Sequence, residues 1–182
     1  MAAPISWYIP VHKRKALTLI EIALFGMLGA LTFGAKVAMS ALYNIEPVSL
    51  MVMLFAVVFG WKCVYPISLY VVMEILYYGI QLWNLYYLYI WFMLALGAIA
   101  MRRLKHPIWW ALLSGAFGMA FGFLCMPVNW LFTGSFIGAI GWWMAGLFPA
   151  DTLHAVGNFT VALVLFVPLR KLMERLYAQI RR

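Results

Sequence analysis

Apolar residues fill this chain in long blocks, and short polar stretches separate them. A helix that crosses a bilayer needs about 20 mostly apolar residues. The first block, residues 16–41, follows the basic run Lys13-Arg14-Lys15. A secretory leader also begins with cations and an apolar stretch. This block is longer than a leader, contains Lys36 and is followed by many further blocks, so it predicts a first spanning helix. The turn-like Tyr43-Asn44-Ile45-Glu46-Pro47 ends it. A short second helix is expected over 48–59, closed by Gly60-Trp61-Lys62, and a third over 64–82. Trp83-Asn84 reads as a brief break before a fourth helix over 85–101. Arg102, Arg103, Lys105 and His106 make the next loop. The fifth helix starts near Pro107, a favoured residue of a first turn, and reaches about Met126.

Residues 127–150 are apolar but interrupted by Pro127, Gly134, Gly138, Gly141, Gly146 and Pro149. They read as a structured outer loop, with a partly inserted helix as one option. A sixth helix follows over 151–169. A basic tail over 170–182 then carries Leu172, Met173, Leu176 and Ile180 at helical spacing.

Composition turns these blocks into a fold class. The chain has 182 residues, 67% of them hydrophobic and 10% charged. Its mean hydropathy is +0.96. Soluble domains carry roughly 25% charged residues. A soluble core of this size has no room for so much apolar surface, so lipid must cover much of it. The expectation is an all-α integral membrane protein: one domain over 1–182, a compact bundle of six transmembrane helices with both termini cytoplasmic.

The net charge is +8. In a soluble protein this would suggest nucleic acid, but the pattern of stacking aromatics among basic residues is missing, so no nucleic-acid partner is expected. Charge instead orients the bundle. With six spans and the N-terminus inside, the inner segments hold Lys13, Arg14, Lys15, Lys62, Arg102, Arg103, Lys105, Arg170, Lys171, Arg175, Arg181 and Arg182. That is twelve of the 13 Lys and Arg, and Lys36 lies within helix 1. The positive-inside rule is obeyed. A seventh span through 127–150 would put the basic tail outside and is rejected. The same topology sends Cys63 and Cys125 to opposite faces, too far apart to bond, as small apolar fillers.

Ionisable groups within a membrane are costly and mark candidate sites. At 1.5 Å of rise per residue, Lys36, Glu74, Asp151, His154 and Asn158 all fall in the outer half of the bilayer, with Glu46 in the first outer loop. They come from different helices, which suggests one shared site opening outward. Each also has a plainer role open to it. Lys36 could snorkel to the interface, Asp151 could cap helix 6, and His154 and Asn158 could bridge helices. Glu74 is too central to snorkel and must pair or face a cavity. Glu21, one turn from the basic run, reads as structural. Tyr43, Trp83, Tyr86, Tyr87, Trp130, Trp142 and Trp143 crowd the outer segments. They form either an interfacial belt or the wall and lid of a pocket for a flat ligand; Trp142 and Trp143 are the favoured lid, and Trp83, Asn84 and Trp130 are counted as candidate binding residues. On helix 1, Gly26, Ala30, Gly34 and Ala38 recur every fourth residue. Such a stripe lets another helix approach closely, within the bundle or from a partner.

With these residues in place, the chain resembles the substrate-binding S components of energy-coupling factor (ECF) transporters. The resemblance covers nearly the whole chain. It rests on six helices with both ends inside, the small-residue stripe of helix 1, and the turn Asn44-Ile45-Glu46-Pro47-Val48 into a short helix 2. It also includes Tyr87-Leu88-Tyr89-Ile90-Trp91 and the long outer loop before a helix 6 that runs from Asp151 to Phe159 as DTLHAVGNF. The resemblance implies a subunit of a prokaryotic plasma membrane that binds a vitamin or related micronutrient at its outward end. It implies association with a transmembrane coupling subunit and two ATPases, docked on the helix 1 stripe, where glycines here replace some of the family's alanines. Metal-binding relatives use an N-terminal Met-His arrangement, and this chain begins Met1-Ala2-Ala3-Pro4, so no metal and no cofactor are expected. Carboxylates outnumber Lys36 at the site, which favours a cationic or amine-bearing heterocycle.

Two other classes compete. An intramembrane enzyme would need a motif that is missing: there is no HExxH, no pair of intramembrane aspartates, and Gly134-Ser135 lacks the GxSxG frame. His154 and Asp151 lack a placed serine, so no catalytic residue is assigned. A stand-alone carrier usually shows duplicated halves, and a channel needs a polar stripe through the full thickness. Neither is visible. No nucleotide-binding loop is present, so energy from ATP would come from a partner.

Overall fold

The computed structural model describes residues 16–42 and 44–180. Met1 to Pro4, Lys13, Arg14, Lys15, Tyr43, Arg181 and Arg182 lie outside the described residues. Every regular element among the described residues is helical.

α1 (Leu19–Ala38) opens on a reciprocal cap. The Glu21 N–H donates to Thr18 Oγ1, and the Thr18 N–H donates back to the Glu21 carboxylate, each at 3.2 Å. The helix ends three residues earlier than expected. α2 (Val48–Phe59) is a 12-residue helix followed by a tight turn, Gly60–Cys63, and then α3 (Val64–Tyr78). Phe59 and Tyr65, on either side of that turn, both pack on the Phe25 ring. Glu74 reaches Lys36, further along α1. The chain therefore reverses at Gly60–Cys63, and α3 runs parallel to α1.

α3 stops at Tyr78, short of the expected residue 82, because Gly79 takes a left-handed φ of 76°. Trp83 and Asn84, expected as the break, lie inside α4 (Leu82–Tyr87). Asn84 Oδ1 accepts the Gln81 N–H at 2.6 Å, so Asn84 caps the helix it was expected to interrupt. α5 (Ile90–Met101) follows a short interruption.

Residues 127–150, expected as a structured outer loop with a partly inserted helix as one option, are helical over most of their length. α6 (Pro107–Met119) leads into α7 (Phe121–Thr133), and Pro127 lies inside α7. Gly134, at φ 66°, closes α7, and α8 (Phe136–Gly146) runs back along it. Trp130 packs on Phe136 and Phe123 on Trp143, which fixes the antiparallel pairing. A kinked turn, Leu147–Asp151, joins α8 to α9 (Thr152–Ile180). Helix is favoured here because in apolar surroundings the backbone must find its partners within the protein, and a helix supplies most of them. The expected basic tail is the last part of α9, which continues through Pro168 to Ile180.

Five helical stretches are long and apolar enough to cross a membrane: Leu19–Ala38, Val48–Tyr78, Leu82–Met101, Pro107–Thr133 and Phe136–Ile180. Large apolar side chains face outward along them, among them Leu19, Met27, Leu76, Leu131 and Ile137, as lipid contact requires. The core between them holds Met53, Phe55, Ile67, Trp91, Trp110 and Phe166. Trp110 and Phe166 stack at 4.2 Å where α6 and α9 cross. That crossing is close because Gly115 and Gly118 face α9. A Cβ on Gly118 would sit 2.8 Å from the backbone of His154 and Ala155.

One end of the bundle is basic and clasped. The buried Glu21 carboxylate accepts from Lys62 Nζ and from the Tyr177 hydroxyl, each at 2.6 Å. This joins the first turn of α1, the α2–α3 turn and the last turns of α9. Arg170 donates to the carbonyls of Leu104 and Arg102 and packs over Trp110. The structural role expected of Glu21 is the one the fold gives it. Cys63 and Cys125 are both free and buried.

Candidate functional site

At the opposite end, α1 and α3 meet through an ion pair. Lys36 Nζ lies 2.8 Å from Glu74 Oε2, and it also donates to the Tyr87 hydroxyl at 3.2 Å. Glu74 is completely buried. Lys36 is 14% exposed in its side chain, so it points into the bundle and does not snorkel. Its Nζ also lies 5.0 Å from the Tyr87 ring centre. Glu46, in the loop before α2, feels the Lys36 charge. Burial pushes the Glu46 carboxyl above its ordinary value, and Lys36 pulls it back in part.

Beside this pair lies a cavity of about 250 Å³. Tyr86 and Tyr87 of α4 form one wall, Phe121, Gly122 and Cys125 of α7 a second, and Trp142, Trp143 and Asp151 a third; Trp83 and Asn44 stand at its edge. Behind the wall the aromatic packing continues inward. Tyr87 stacks on Tyr70 at 6.2 Å and lies 5.2 Å from Trp91, while Phe121 touches Trp91 and His154. A flat ring would find aromatic faces on several sides.

The polar side chains around the cavity divide into two groups. Asp151 is fixed: both carboxylate oxygens accept the Gly122 N–H, at 3.2 and 3.3 Å. It therefore ties α9 to the start of α7 and does not cap its own helix. Asn158 donates to Ser49 Oγ at 2.9 Å and to the Ser114 carbonyl at 3.4 Å, which spends its amide on joining α9, α2 and α6. Asn44 donates to the Ala150 carbonyl at 3.1 Å. A second group is buried with no hydrogen-bond partner among the described residues: Glu74 Oε1, Asn84 Nδ2, Trp91 Nε1, Trp143 Nε1 and His154 Nε2. Buried polar atoms rarely stay unpaired in a finished structure.

Of the residues expected at the site, Lys36 and Glu74 pair next to Tyr87, which lines the cavity, and Glu46 feels the Lys36 charge. Trp83, Trp142, Trp143 and Asp151 line the cavity. Asn84 and His154 are buried beside it, and Asn158 lies one turn further along α9. Trp130 stands apart, half-exposed on the α7–α8 hairpin against Phe136. Sequence reasoning missed Tyr70, Trp91, Phe121 and Cys125. Tyr70, Trp91 and Phe121 carry no charge and fall inside apolar runs, and the signal that would have found them is their helical spacing from polar neighbours: Tyr70 and Trp91 each lie four residues from Glu74 and Tyr87 respectively. Among the described residues, no cluster of His, Cys, Asp and Glu could hold a metal ion.

The stripe on α1 faces away from the bundle. Ala30, Gly34 and Ala38 are exposed, and a Cβ on Gly26 or Gly34 would meet no neighbour within 4 Å. Internal packing uses Gly29 instead, against Pro66 and Leu69. No protein-family model, curated protein or solved structure matches the chain.

Proposed function

We propose that the protein is the membrane-embedded substrate-binding subunit of an ECF-type transporter. It captures a vitamin or related micronutrient from outside and hands it to a coupling subunit driven by two ATPases. In this reading the membrane is the plasma membrane of a prokaryote. The bundle crosses it six times, because α2 and α3 are separate crossings, and both termini are cytoplasmic.

The observation that carries the reading is the aromatic cavity at the end of the bundle opposite the basic one. Phe55, Ile67, Leu94, Trp110 and Phe166 fill the core between the two ends. Such an apolar plug suits a protein that binds and waits for a partner, and it disfavours a channel. The outward-facing α1 stripe gives a coupling subunit a smooth surface to pack on. In this reading the protein itself performs no turnover, and ATP is hydrolysed only by its partners. The cargo we favour is an amine-bearing heterocycle, because the carboxylates Glu46, Glu74 and Asp151 outnumber Lys36 in this part of the chain.

Purification in mild detergent from the native host tests this reading. The expected result is a complex with one further membrane protein and two ATPases, which accumulates its cargo in vesicles only with ATP. A protein that purifies alone, and whose deletion leaves uptake of every micronutrient unchanged, overturns it.

A further inference from the structure

Residues 107–150 hold no Asp, Glu, Lys, Arg or His, and they build α6, α7 and α8. Helical bonding runs on from α6 into α7 through Ala120, whose N–H donates to the Ala116 carbonyl and whose carbonyl accepts the Leu124 N–H. Leu112, Ala116, Met119, Phe123, Pro127 and Trp130 are all exposed. Their steps of three and four residues place them on one face of both helices. The stripe starts on a crossing helix of the proposed bundle and continues along the hairpin. At the hairpin tip, Leu131 and Ile137 are 78% and 83% exposed. Ala139 is the buried residue of α8, which packs mainly on α7 and on the Leu147–Asp151 turn.

A lid standing in water would turn polar side chains outward, and an apolar surface of this extent marks a membrane or protein contact. The amide and hydroxyl side chains of the hairpin turn inward instead. Asn129 Oδ1 accepts from the Tyr86 hydroxyl at 3.1 Å, Thr133 Oγ1 donates to the Asn129 carbonyl at 2.8 Å, and Ser135 Oγ accepts the Gly138 N–H at 3.0 Å. Lipid imposes this arrangement, because it offers polar groups no partner.

The same surface reaches the cavity. Trp83 and Trp142 are the exposed members of its lining, and the others are half-buried or buried. On α8, Trp142 stands beside Gly138, Gly141 and Ala145, all exposed and apolar. Lipid that covers α8 therefore borders the cavity at Trp142. The cavity is about 250 Å³, below the roughly 300 to 1,000 Å³ of sites that enclose drug-sized ligands. It holds a ring and leaves the rest of a longer molecule outside.

We infer that the α7–α8 hairpin is embedded in the bilayer leaflet at the cavity end, and that the cavity is entered from that leaflet, past Trp142, by a ring compound whose apolar tail stays among the lipids. This rests on the proposed binding role of the cavity and names its cargo as an amphiphile. The 27 residues from Pro107 to Thr133 measure about 40 Å at a helical rise. The hydrocarbon core is about 30 Å thick, so the hairpin tilts to stay within it.

Single cysteines in the full chain, held in nanodiscs, test the embedding. Leu131→Cys and Ile137→Cys place thiols at the tip, and Lys105→Cys, exposed in the basic loop before α6, is the control in water. A charged maleimide should label Lys105→Cys roughly tenfold faster or more than either tip thiol, since charge keeps it out of lipid. A nitrobenzoxadiazole label at either tip position should be quenched by lipids that carry a nitroxide on the acyl chain. Tip thiols labelled as fast as the control put the hairpin in water and overturn the inference. Tip thiols that are protected, with labels that the nitroxide lipids fail to quench, put a second copy or another protein on the hairpin and overturn it equally. If one tip variant fails to fold, the other decides. Entry is read with quinolin-4-amine bearing an N-octyl chain and with the same ring bearing a polyether chain of equal length. Saturable binding above uptake by empty nanodiscs should favour the octyl compound roughly tenfold or more, because methylenes gain by leaving water. Equal binding of the two means that the cavity opens to water; it overturns the entry route and leaves the binding role standing. Binding of neither overturns the inference, and the binding role falls with it only if the protein also holds no molecule when purified from its host.

Discussion

Lys36→Met leaves Glu74 as a charge inside the bundle with no partner. Glu74 is 0% exposed, its Oε2 sits 2.8 Å from Lys36 Nζ, and its Oε1 has no partner among the described residues. At that distance and an effective dielectric of about 20, the gross attraction is about 6 kcal/mol. Most of it offsets the cost of taking both charges out of water, so the pair adds little net stability. Breaking it is a different matter: removing one partner of a buried pair costs about 3–5 kcal/mol, whereas replacing both by apolar residues is often nearly neutral. Lys36→Met and Glu74→Leu should therefore each destabilise the bundle by about 3–5 kcal/mol, and the double variant should stay within about 1 kcal/mol of the parent. Reversible unfolding in mixed micelles, followed by tryptophan fluorescence, measures all four proteins. Single variants costing under about 1 kcal/mol, with an additive double variant, would falsify the buried pair that anchors α1 to α3.

Three further outcomes follow from the same geometry. Gly118→Ala places a Cβ 2.8 Å from the α9 backbone and should cost about 1–3 kcal/mol by overpacking, while Gly34→Ala, with nothing within 4 Å, should not destabilise the fold in the same unfolding assay. Cys125 lines the cavity and Cys63 lies near the basic end, so in mass-spectrometric mapping, bound cargo should slow alkylation of Cys125 and leave Cys63 unaffected. Glu46 has a raised carboxyl pKa in the folded state, so the fold binds its proton more tightly than the unfolded chain; this stability is present below the ordinary value of 4.5 and is lost as pH rises through the raised one. Glu46→Gln should flatten that slope in melting temperature measured across pH.

What could be read from the chain depended on the cost of placing each residue in lipid. Lys36 and Glu74 were legible because a charge within a membrane must find a partner, and only other outer-half residues were within reach. The basic end was legible because cations gather on one side of the bundle. Glycine and proline misled the reading of 127–150: rules learned in water treat them as helix breakers, but Pro127 and Gly138 sit within α7 and α8, since a backbone in apolar surroundings keeps its helical bonds wherever it can. The partner of Asp151 was not legible, since the Gly122 N–H lies 29 residues away. Asn158 shares a face with His154, as its spacing requires, yet its amide is used between helices. Phe121 was invisible because nothing in an apolar run marks one aromatic as a pocket wall and the next as lipid contact; Tyr70 and Trp91, packed behind the wall against Tyr87, were marked only by their spacing from Glu74 and Tyr87.

The central claim is that the cavity beside Lys36 and Glu74 holds a small heterocycle from outside the cell. Native mass spectrometry of the protein purified from its host tests it most directly. The account predicts one co-purifying small molecule at a one-to-one ratio, lost when Trp142 and Trp143 are both changed to Ala in a protein that still folds. A protein that carries no such molecule, and gains none from a panel of vitamins and their precursors, contradicts it.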